Sequence, residues 1–509
     1  MRRTRQETTL RGWLGALPRS VLDDRPALSL AYAGTLMQTG TLEDVEGRLR
    51  AAERWLEQHP DGHVATTPQG QRVPVELAMY RAALALMSAD PAGTVTHARR
   101  ALELSDAADH LGRGAAAALL GLAHWTDGDL DAAQRRYAEA MLDLGRAGFL
   151  SDVLGCAVAL ADMQVAQGRL DDAAATYERG LAMGMGGDGA PLRGVADMHT
   201  GLGELARERD DRASASEHLR RSEELGDERG LPQNAYRRRL LAALIRRGGD
   251  LAGALDALDE ARHWHTTDMS PDVRPIAAMR ARLLIAQGDL DEARAWARRE
   301  GLASTDPPNY LREFELATLV RLIAAEGPTR REDGALDGAV TLVDRLLVPA
   351  EAGGRHGSVL DLLVAKAIVL QARGDVAGAV ATLGRALALA EPHGHVRIFL
   401  DEGPRMVGLL RLAPEPAAYA RRLLAAAATG AATARPHASL VEPLSERELD
   451  VLRLLEGELD GPGIANELVV SVNTVRTHTR RIYAKLGVND RRAAVRRARE
   501  LGLLGHGQR

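Results

Sequence analysis

Apolar residues recur along most of the chain at the spacing of one helix face, and a glycine ends the apolar stretch at regular intervals. Residues 286–293 (AQGDLDEA) nearly repeat residues 166–173 (AQGRLDDA). The period is about 40 residues, with a degenerate copy at 206–215. The glycines are Gly40, Gly128, Gly168, Gly249, Gly288 and Gly374. An aliphatic residue follows two positions later, at Leu42, Leu130, Leu170, Leu251, Leu290 and Val376, and alanine or valine follows five positions later.

This register predicts a stack of helical hairpins. Glycine can take the left-handed conformation that ends a first helix, and the aspartate after most of these glycines suits the cap of a second helix. The leucine would fill the hairpin, and the small residue would let the two helices cross closely. Since each hairpin leaves an apolar face, the copies must stack into an α-solenoid. The pattern resembles the tetratricopeptide repeat, and an irregular helical bundle is the alternative.

We place this repeat domain at residues 1–424, with an irregular stretch near 302–358 that suggests a longer loop or an insertion. Residues 425–442 hold few large apolar side chains and include Pro436, which predicts a linker before a last domain at 443–509. The fold class is therefore all-α.

Composition and the absence of known motifs exclude several classes of function. The single cysteine, Cys156, excludes a disulfide within the chain and a cysteine-based zinc site, and predicts a cytoplasmic protein. No stretch approaches a membrane span. The histidines of Arg262–His265 do not share a helix face, and neither nucleophile nor phosphate-loop motifs occur. We expect no enzyme activity, no metal and no cofactor.

Charge is distributed unevenly. The net charge is −5, but residues 443–509 hold 12 Lys/Arg and 9 Asp/Glu, or +3, which leaves −8 for the rest. A basic region on an acidic protein is typical of nucleic-acid binding.

Four helices are predicted in residues 443–509. Ser445 and Glu448 form a capping box for the first, Asp460 can cap a short second, the third spans about 472–486 and the fourth about 491–501. The third has an apolar inner face at Val475, Thr479, Ile482 and Leu486, and a polar outer face at Asn473, Arg476, Thr477, Arg480 and Lys485. A short helix, a tight turn and this helix make a helix-turn-helix at about 461–480, which suits the DNA major groove. A merely solvated charged face is the alternative.

The segment resembles the LuxR-type DNA-binding domain. The resemblance rests on Leu444, Ser445, Arg447, Glu448, Val451, Leu452, Ile464, Ala465, Ser471, Val472, Thr474, Val475, Arg476, His478, Ile482 and the run Lys485–Val488. It implies base contacts for Arg476, Thr477 and Arg480, and phosphate contacts or helix orientation for Ser471, Thr474, His478 and Lys485. We add Asn473 and Arg481 to the DNA-binding set. The fourth helix keeps a narrow stripe at Ala494, Val495 and Ala498 for packing, and the resemblance implies that this helix is also the dimer contact.

One departure from that family stands out. Residues 460–463 read Asp-Gly-Pro-Gly, so the second helix lacks the usual polar residues of its first turn. Each glycine inside a helix costs about 1 kcal/mol relative to alanine. We expect a frayed second helix and an intact fold.

Residues 10–46 and 395–410 resemble parts of MalT-like regulators, the large ATP-binding LuxR-type class, but no G-x-x-x-x-G-K-[ST] motif for their nucleotide-binding domain occurs. The resemblance predicts a bacterial transcription regulator whose helical repeats sense a small molecule or protein. Its partners would be double-stranded promoter DNA, bound as a homodimer, and RNA polymerase. The alternatives are a protein-interaction scaffold with a degenerate helix-turn-helix, and the C-terminal part of a split or truncated signal-transducing ATPase regulator.

Overall fold

The computed structural model describes residues 7–38, 44–59, 68–185, 189–265, 269–327, 334–413, 417–433, 446–456, 459, 461–468, 472–486, 488 and 491–500. Apart from an isolated bridge between Met185 and Pro191, the regular structure of these residues is helical, so the predicted all-α class is confirmed. The chain divides into two compact units, residues 1–427 and 428–509.

The helices of the first half are α1 Glu7–Gly15, α2 Arg19–Asp23, α3 Pro26–Gln38, α4 Val45–Gln58, α5 Pro68–Met87, α6 Pro91–Leu104, α7 His110–Thr126, α8 Leu130–Arg146, α9 Leu150–Ala166, α10 Leu170–Met183, α11 Val195–Glu208, α12 Arg212–Leu225, α13 Asn234–Arg247 and α14 Leu251–Arg262. Those that follow are α15 Ile276–Gln287, α16 Leu290–Arg299, α17 Glu313–Glu326, α18 Ala335–Ala352, α19 His356–Arg373, α20 Val376–Ala390, α21 Arg397–Leu400, α22 Pro404–Leu410, α23 Ala417–Thr433, α24 Glu446–Glu456, α25 Gly461–Glu467, α26 Val472–Leu486 and α27 Arg491–Glu500.

The repeated turns form as predicted. Gly128, Gly168, Gly288 and Gly374 have φ between +75° and +93°. The next residue then donates its N–H to the carbonyl five positions back, as in a Schellman motif. This bond is 2.8 to 3.0 Å long at Asp129, Arg169, Asp211, Asp289 and Asp375. The aspartates also cap the following helix, since each side chain accepts a bond from the N–H three residues on at Asp129, Asp211, Asp250, Asp289 and Asp375.

Two turns differ from the prediction. Gly249 does not take a positive φ, and Asp250 N donates to Arg246 O four residues back, so this turn continues helical bonding. In the degenerate copy Asp210 takes the left-handed position, with φ of 63°. Aspartate tolerates that conformation better than most residues because its short side chain can bond locally. Gly40 and Leu42 lie outside the described residues.

The small residues lie at the helix crossings, as predicted. Val45, Ala133, Ala173, Ala254, Ala293 and Ala379 are all fully buried. The predicted hairpin leucines vary more: Leu130 and Leu170 are buried, whereas Val376 is 46% exposed, so the expectation that it fills its hairpin is wrong.

The structure also describes most of the predicted irregular stretch near 302–358 and part of the predicted linker at 425–442. Residues 302–309 form a loop, and after it α17 and α18 form a further helical pair within the predicted irregular stretch. The first part of the predicted linker is helical, because α23 continues through residues 425–433. That segment is mostly alanine, which has the highest intrinsic helix propensity.

The lone thiol lies inside the array. Cys156 on α9 is 7% exposed, and burial raises its pKa to about 12. In the part of the chain that the structure describes, helices with the length and apolar character of a membrane span are absent.

Candidate nucleic-acid interface

The four helices α24 to α27 enclose a core of their own. Apolar residues spaced three and four positions apart on each helix face inward. The buried members are Val451, Leu452, Leu455, Ile464, Ala465, Val475, Ile482, Leu486, Ala494 and Ala498. The inner face predicted for the third helix is therefore confirmed at Val475, Ile482 and Leu486. The core fixes α25 and α26 as consecutive helices, the arrangement of a helix-turn-helix.

The glycine-proline-glycine run does not abolish α25. The helix begins at Gly461 and runs to Glu467, and Leu468 N donates to Ile464 O at 3.1 Å. Proline in a first turn is tolerated because that N–H has no partner in the helix. Ile464 and Ala465 are buried, so the helix docks despite its weak start. Asp460 lies outside the described residues.

The outer face of α26 carries the predicted DNA-facing residues. Arg480 and Arg481 are exposed, while Thr474 and His478 are half-buried. The Nδ1 atom of His478 is buried without a hydrogen-bond partner among the described residues. Asn473, Arg476 and Thr477 lie on α26 with side chains outside the described part, and Ser471 is not described at all. The described arginines thus form a cationic surface opposite the buried face.

Lys485 differs from its predicted position on the outer face. Its Nζ lies 2.9 Å from Oε2 of Glu448 on α24, and the two side chains are 18% and 4% exposed. The long aliphatic stem lets the ammonium group reach back to the first helix. The charge of Lys485 is therefore matched inside the domain, and the ion pair links α26 to α24.

Arg491 holds the start of α27 against the end of α24. Its Nε donates to Leu455 O at 2.9 Å and its Nη1 to Leu459 O at 2.7 Å. Leu455 lies in the last turn of α24, where carbonyls lack partners within the helix and favour a cation, and Leu459 follows that helix. Sequence reasoning missed both Arg491 and the carboxylate of Glu448 as positioning residues.

The stripe predicted for packing on the fourth helix lies in the core of the domain. Ala494 and Ala498 are fully buried in the domain's own core, and Val495 packs against it. This helix covers the remaining apolar residues of α24 and α26. The packing predicted for this stripe is therefore confirmed.

A helical-repeat array followed by a helix-turn-helix domain with an arginine-bearing second helix defines a class, that of DNA-binding transcription regulators. Comparison with family models identifies both parts. Residues 75–415 match the MalT-like TPR region, and residues 442–498 match the luxR family of bacterial regulatory proteins. The chain therefore belongs to the MalT-like family, with a LuxR-type DNA-binding domain at its C-terminal end. Both matched families are non-enzymatic.

Several solved structures match the chain at low identity. A Rap conjugation gene regulator of the plasmid pLS20, in complex with the Phr* peptide, is 12% identical, with a TM-score of 0.36 over 78% of this chain and 97% of that one. A Rap protein complexed with competence and sporulation factor is 9% identical, with a TM-score of 0.36 over 74% and 88%. The P58(IPK) TPR domain is 13% identical, with a TM-score of 0.19 over 80% and 98%.

Proposed function

We propose that the repeat array senses a small molecule or a protein and thereby controls binding of the C-terminal domain to double-stranded promoter DNA. One observation carries the DNA half of this proposal: exposed Arg480 and Arg481 on α26 lie opposite the face that packs into a complete core. An arginine in the major groove can bond both acceptors of a guanine edge, and a neighbour can neutralise a phosphate.

The proposed interface consists of residues on α26 and the turn before it. These are Ser471, Asn473, Thr474, Arg476, Thr477, His478, Arg480, Arg481 and Lys485. Arg476, Thr477 and Arg480 would contact bases, because positions near one turn apart share a helix face. Lys485 would act through the orientation of α26, since its charge is already paired with Glu448.

The docked α25 favours this function over a scaffold with a degenerate helix-turn-helix, because the unusual residues 461–463 leave Ile464 and Ala465 buried. We further propose that the chain binds DNA as a homodimer, in the bacterial cytoplasm, and acts on RNA polymerase. With Ala494 and Ala498 buried inside the domain, the dimer would need a surface other than that stripe.

The test selects sites for the full chain from random double-stranded DNA and then measures affinity for the selected site. Arg480→Ala should cost about 1–3 kcal/mol and relax base preference at one position. Arg385→Ala, which removes an exposed arginine of the repeat array, is the control and should leave affinity unchanged. Recovery of no sequence motif, or the same motif for Arg476→Ala/Arg480→Ala as for wild type, would contradict the proposal.

The homodimer is tested separately. A dimer reads two half-sites about 10 base pairs apart or a multiple of that. Inserting about 5 base pairs between half-sites turns one of them to the opposite face of the duplex. Binding of the full chain should then lose its cooperativity, and indifference to the insertion would argue for a monomer on DNA.

A further inference from the structure

Residues 395–402, which we call the clasp segment, lie between two parts of the repeat array that are far apart in sequence. On one side they are held by apolar packing. Phe399 is fully buried in the core formed by α15 to α23, and its ring meets that of Tyr419 edge-on, with centroids 6.5 Å apart. The segment is therefore a fixed part of the later repeats.

On the other side the clasp segment meets the earlier repeats through polar contacts. Val396 N donates to the backbone oxygen of Glu208 at 3.1 Å, and Ile398 N donates to the carboxylate of the same residue at 3.1 Å. The Nε2 atom of His395 lies 3.1 Å from Gly168 O. These bonds span roughly 190 to 230 positions of sequence and join the segment to α11 and to the turn after α9.

Asp401 is the charged centre of this contact. Its carboxylate is 8% exposed and bonds Arg207 of α11, while Arg247 of α13 lies at 3.5 Å. Arg397 Nε donates to it at 3.0 Å and also pairs with Asp210 at 3.3 Å. The three arginines hold the pKa of Asp401 well below its usual range against the opposing effect of burial. The carboxylate of Asp401 thus pairs with arginines from both parts of the array.

A second contact closes the array beside the first. A Cβ added at Gly357, near the start of α19, would lie 2.5 Å from Val165 O and 2.7 Å from Ala166 O at the end of α9. Trp125 Nε1 also donates to Tyr310 OH at 3.2 Å. The array therefore returns onto its own earlier repeats, and at Gly357 the approach is too close for any side chain.

The two sides differ in chemistry. The apolar residues of α9 to α11 form a core separate from that of α15 to α23, so the clasp segment joins two cores through ion pairs and hydrogen bonds. A buried ion pair adds little net stability, since the cost of removing the charges from water offsets their attraction, but its geometry is specific. Such a contact has one closed arrangement.

From this we infer that the clasp segment is a releasable closure of the repeat array, and that its opening is the conformational change that alters DNA binding. The inference rests on the proposed function. The segment is linked to α23, the last helix before α24 to α27 in the chain, because Tyr419 of α23 donates its hydroxyl hydrogen to His395 O. A ligand that favours the open array would thereby act on the segment leading to the DNA-binding domain.

Two unrelated variants of the full chain open the closure. Asp401→Asn removes the charge that holds the three arginines, and Gly357→Ala places a methyl group against two backbone oxygens. Alanine is the better helix former, so the second variant should fold even if the first does not. The matched controls are Asp337→Asn, which breaks an exposed ion pair with Arg373, and Gly47→Ala, which adds a methyl group in open space on α4.

Hydrogen exchange of the 396–402 amides and small-angle X-ray scattering report the closure, and affinity for the selected DNA site reports the function. We expect both variants to speed exchange about tenfold or more, to enlarge the radius of gyration, and to shift DNA affinity about fivefold or more in the same direction. The controls should match wild type.

Unchanged exchange would overturn the closure as a releasable contact. Faster exchange with unchanged DNA affinity, or opposite shifts for the two variants, would overturn its role in regulation. If wild type itself binds no DNA, the proposed function fails and the regulatory role fails with it, a result seen in wild type rather than in the variants.

Discussion

The ammonium group of Lys485 lies 2.9 Å from the carboxylate of Glu448, so a nearly buried ion pair fastens the proposed recognition helix to the first helix of its domain. The pair adds a specific orientation to the apolar packing of α24 against α26.

Glu448→Gln should destabilise the C-terminal domain by about 1–3 kcal/mol, since it leaves a largely enclosed ammonium group without its anion. Hydrogen exchange of α24 and α26 in the full chain measures the effect. Glu467→Gln, at an exposed position of α25, is the control. Equal protection in both variants would mean that the ion pair contributes nothing.

Arg491→Lys should cost about 1–2 kcal/mol, because lysine keeps the charge but not the fork that donates to the carbonyls of Leu455 and Leu459. The loss should appear as faster exchange at the end of α24 and the start of α27. Arg453→Lys, on the exposed side of α24, should change neither. The assignment of Arg491 as a helix cap would be wrong if the two variants behave alike.

Ala379→Trp should destabilise the repeat array by about 1–3 kcal/mol or more, because a fully buried crossing position cannot take the larger ring. Ala173→Trp and Ala293→Trp should do the same, since both residues are also fully buried. Ala377→Trp lies two positions away on the same helix and is exposed, so it should stay within about 0.5 kcal/mol of wild type. Thermal unfolding of the full chain compares them.

Asp197→Asn should stabilise the array above pH 6 and have little effect near pH 4. Asp197 is 2% exposed, and burial raises its pKa from an ordinary 3.8 to about 6. Since the folded state holds this proton more tightly, wild type loses stability as the pH rises from about 4 through 6. The variant has no carboxyl group at this position and avoids that loss. Its free energy of unfolding should therefore exceed that of wild type by about 1–3 kcal/mol once the pH is above 6.

Melting temperatures of wild type and variant at pH 4.5 and pH 7.5 measure that difference. Asp256→Asn, at an exposed position of α14, is the control. An advantage of Asp197→Asn that does not vary with pH would contradict the burial argument.

The repeats were predictable because their signals are local. Gly288, Asp289 and Ala293 lie within six positions of one another, and each acts on its own turn or crossing. The partners of Asp401 were not predictable, since Arg207 lies 194 positions away and nothing in either segment marks the pairing.

The helix-turn-helix was predictable in its apolar face and less so in its polar one. Val475 and Ile482 face inward because a helix pattern fixes their direction. Lys485 follows the same pattern at its Cα, but its side chain is long enough to reach Glu448 on another helix. Helical periodicity predicts the helix face on which a Cα lies, but it does not predict where the charged end of a long, flexible side chain lies.

The enclosed thiol of Cys156 has a practical consequence. A thiol with a pKa of about 12 in the interior of α9 reacts slowly with thiol-specific reagents, because the thiolate is the reactive form. The native chain can therefore be labelled at introduced cysteines without replacing Cys156. Cysteines placed at Ala213 on α12 and Ala377 on α20, both exposed, would carry a pair of spin labels without competition. The distance between those labels would report changes in the shape of the repeat array, both in solution and on DNA.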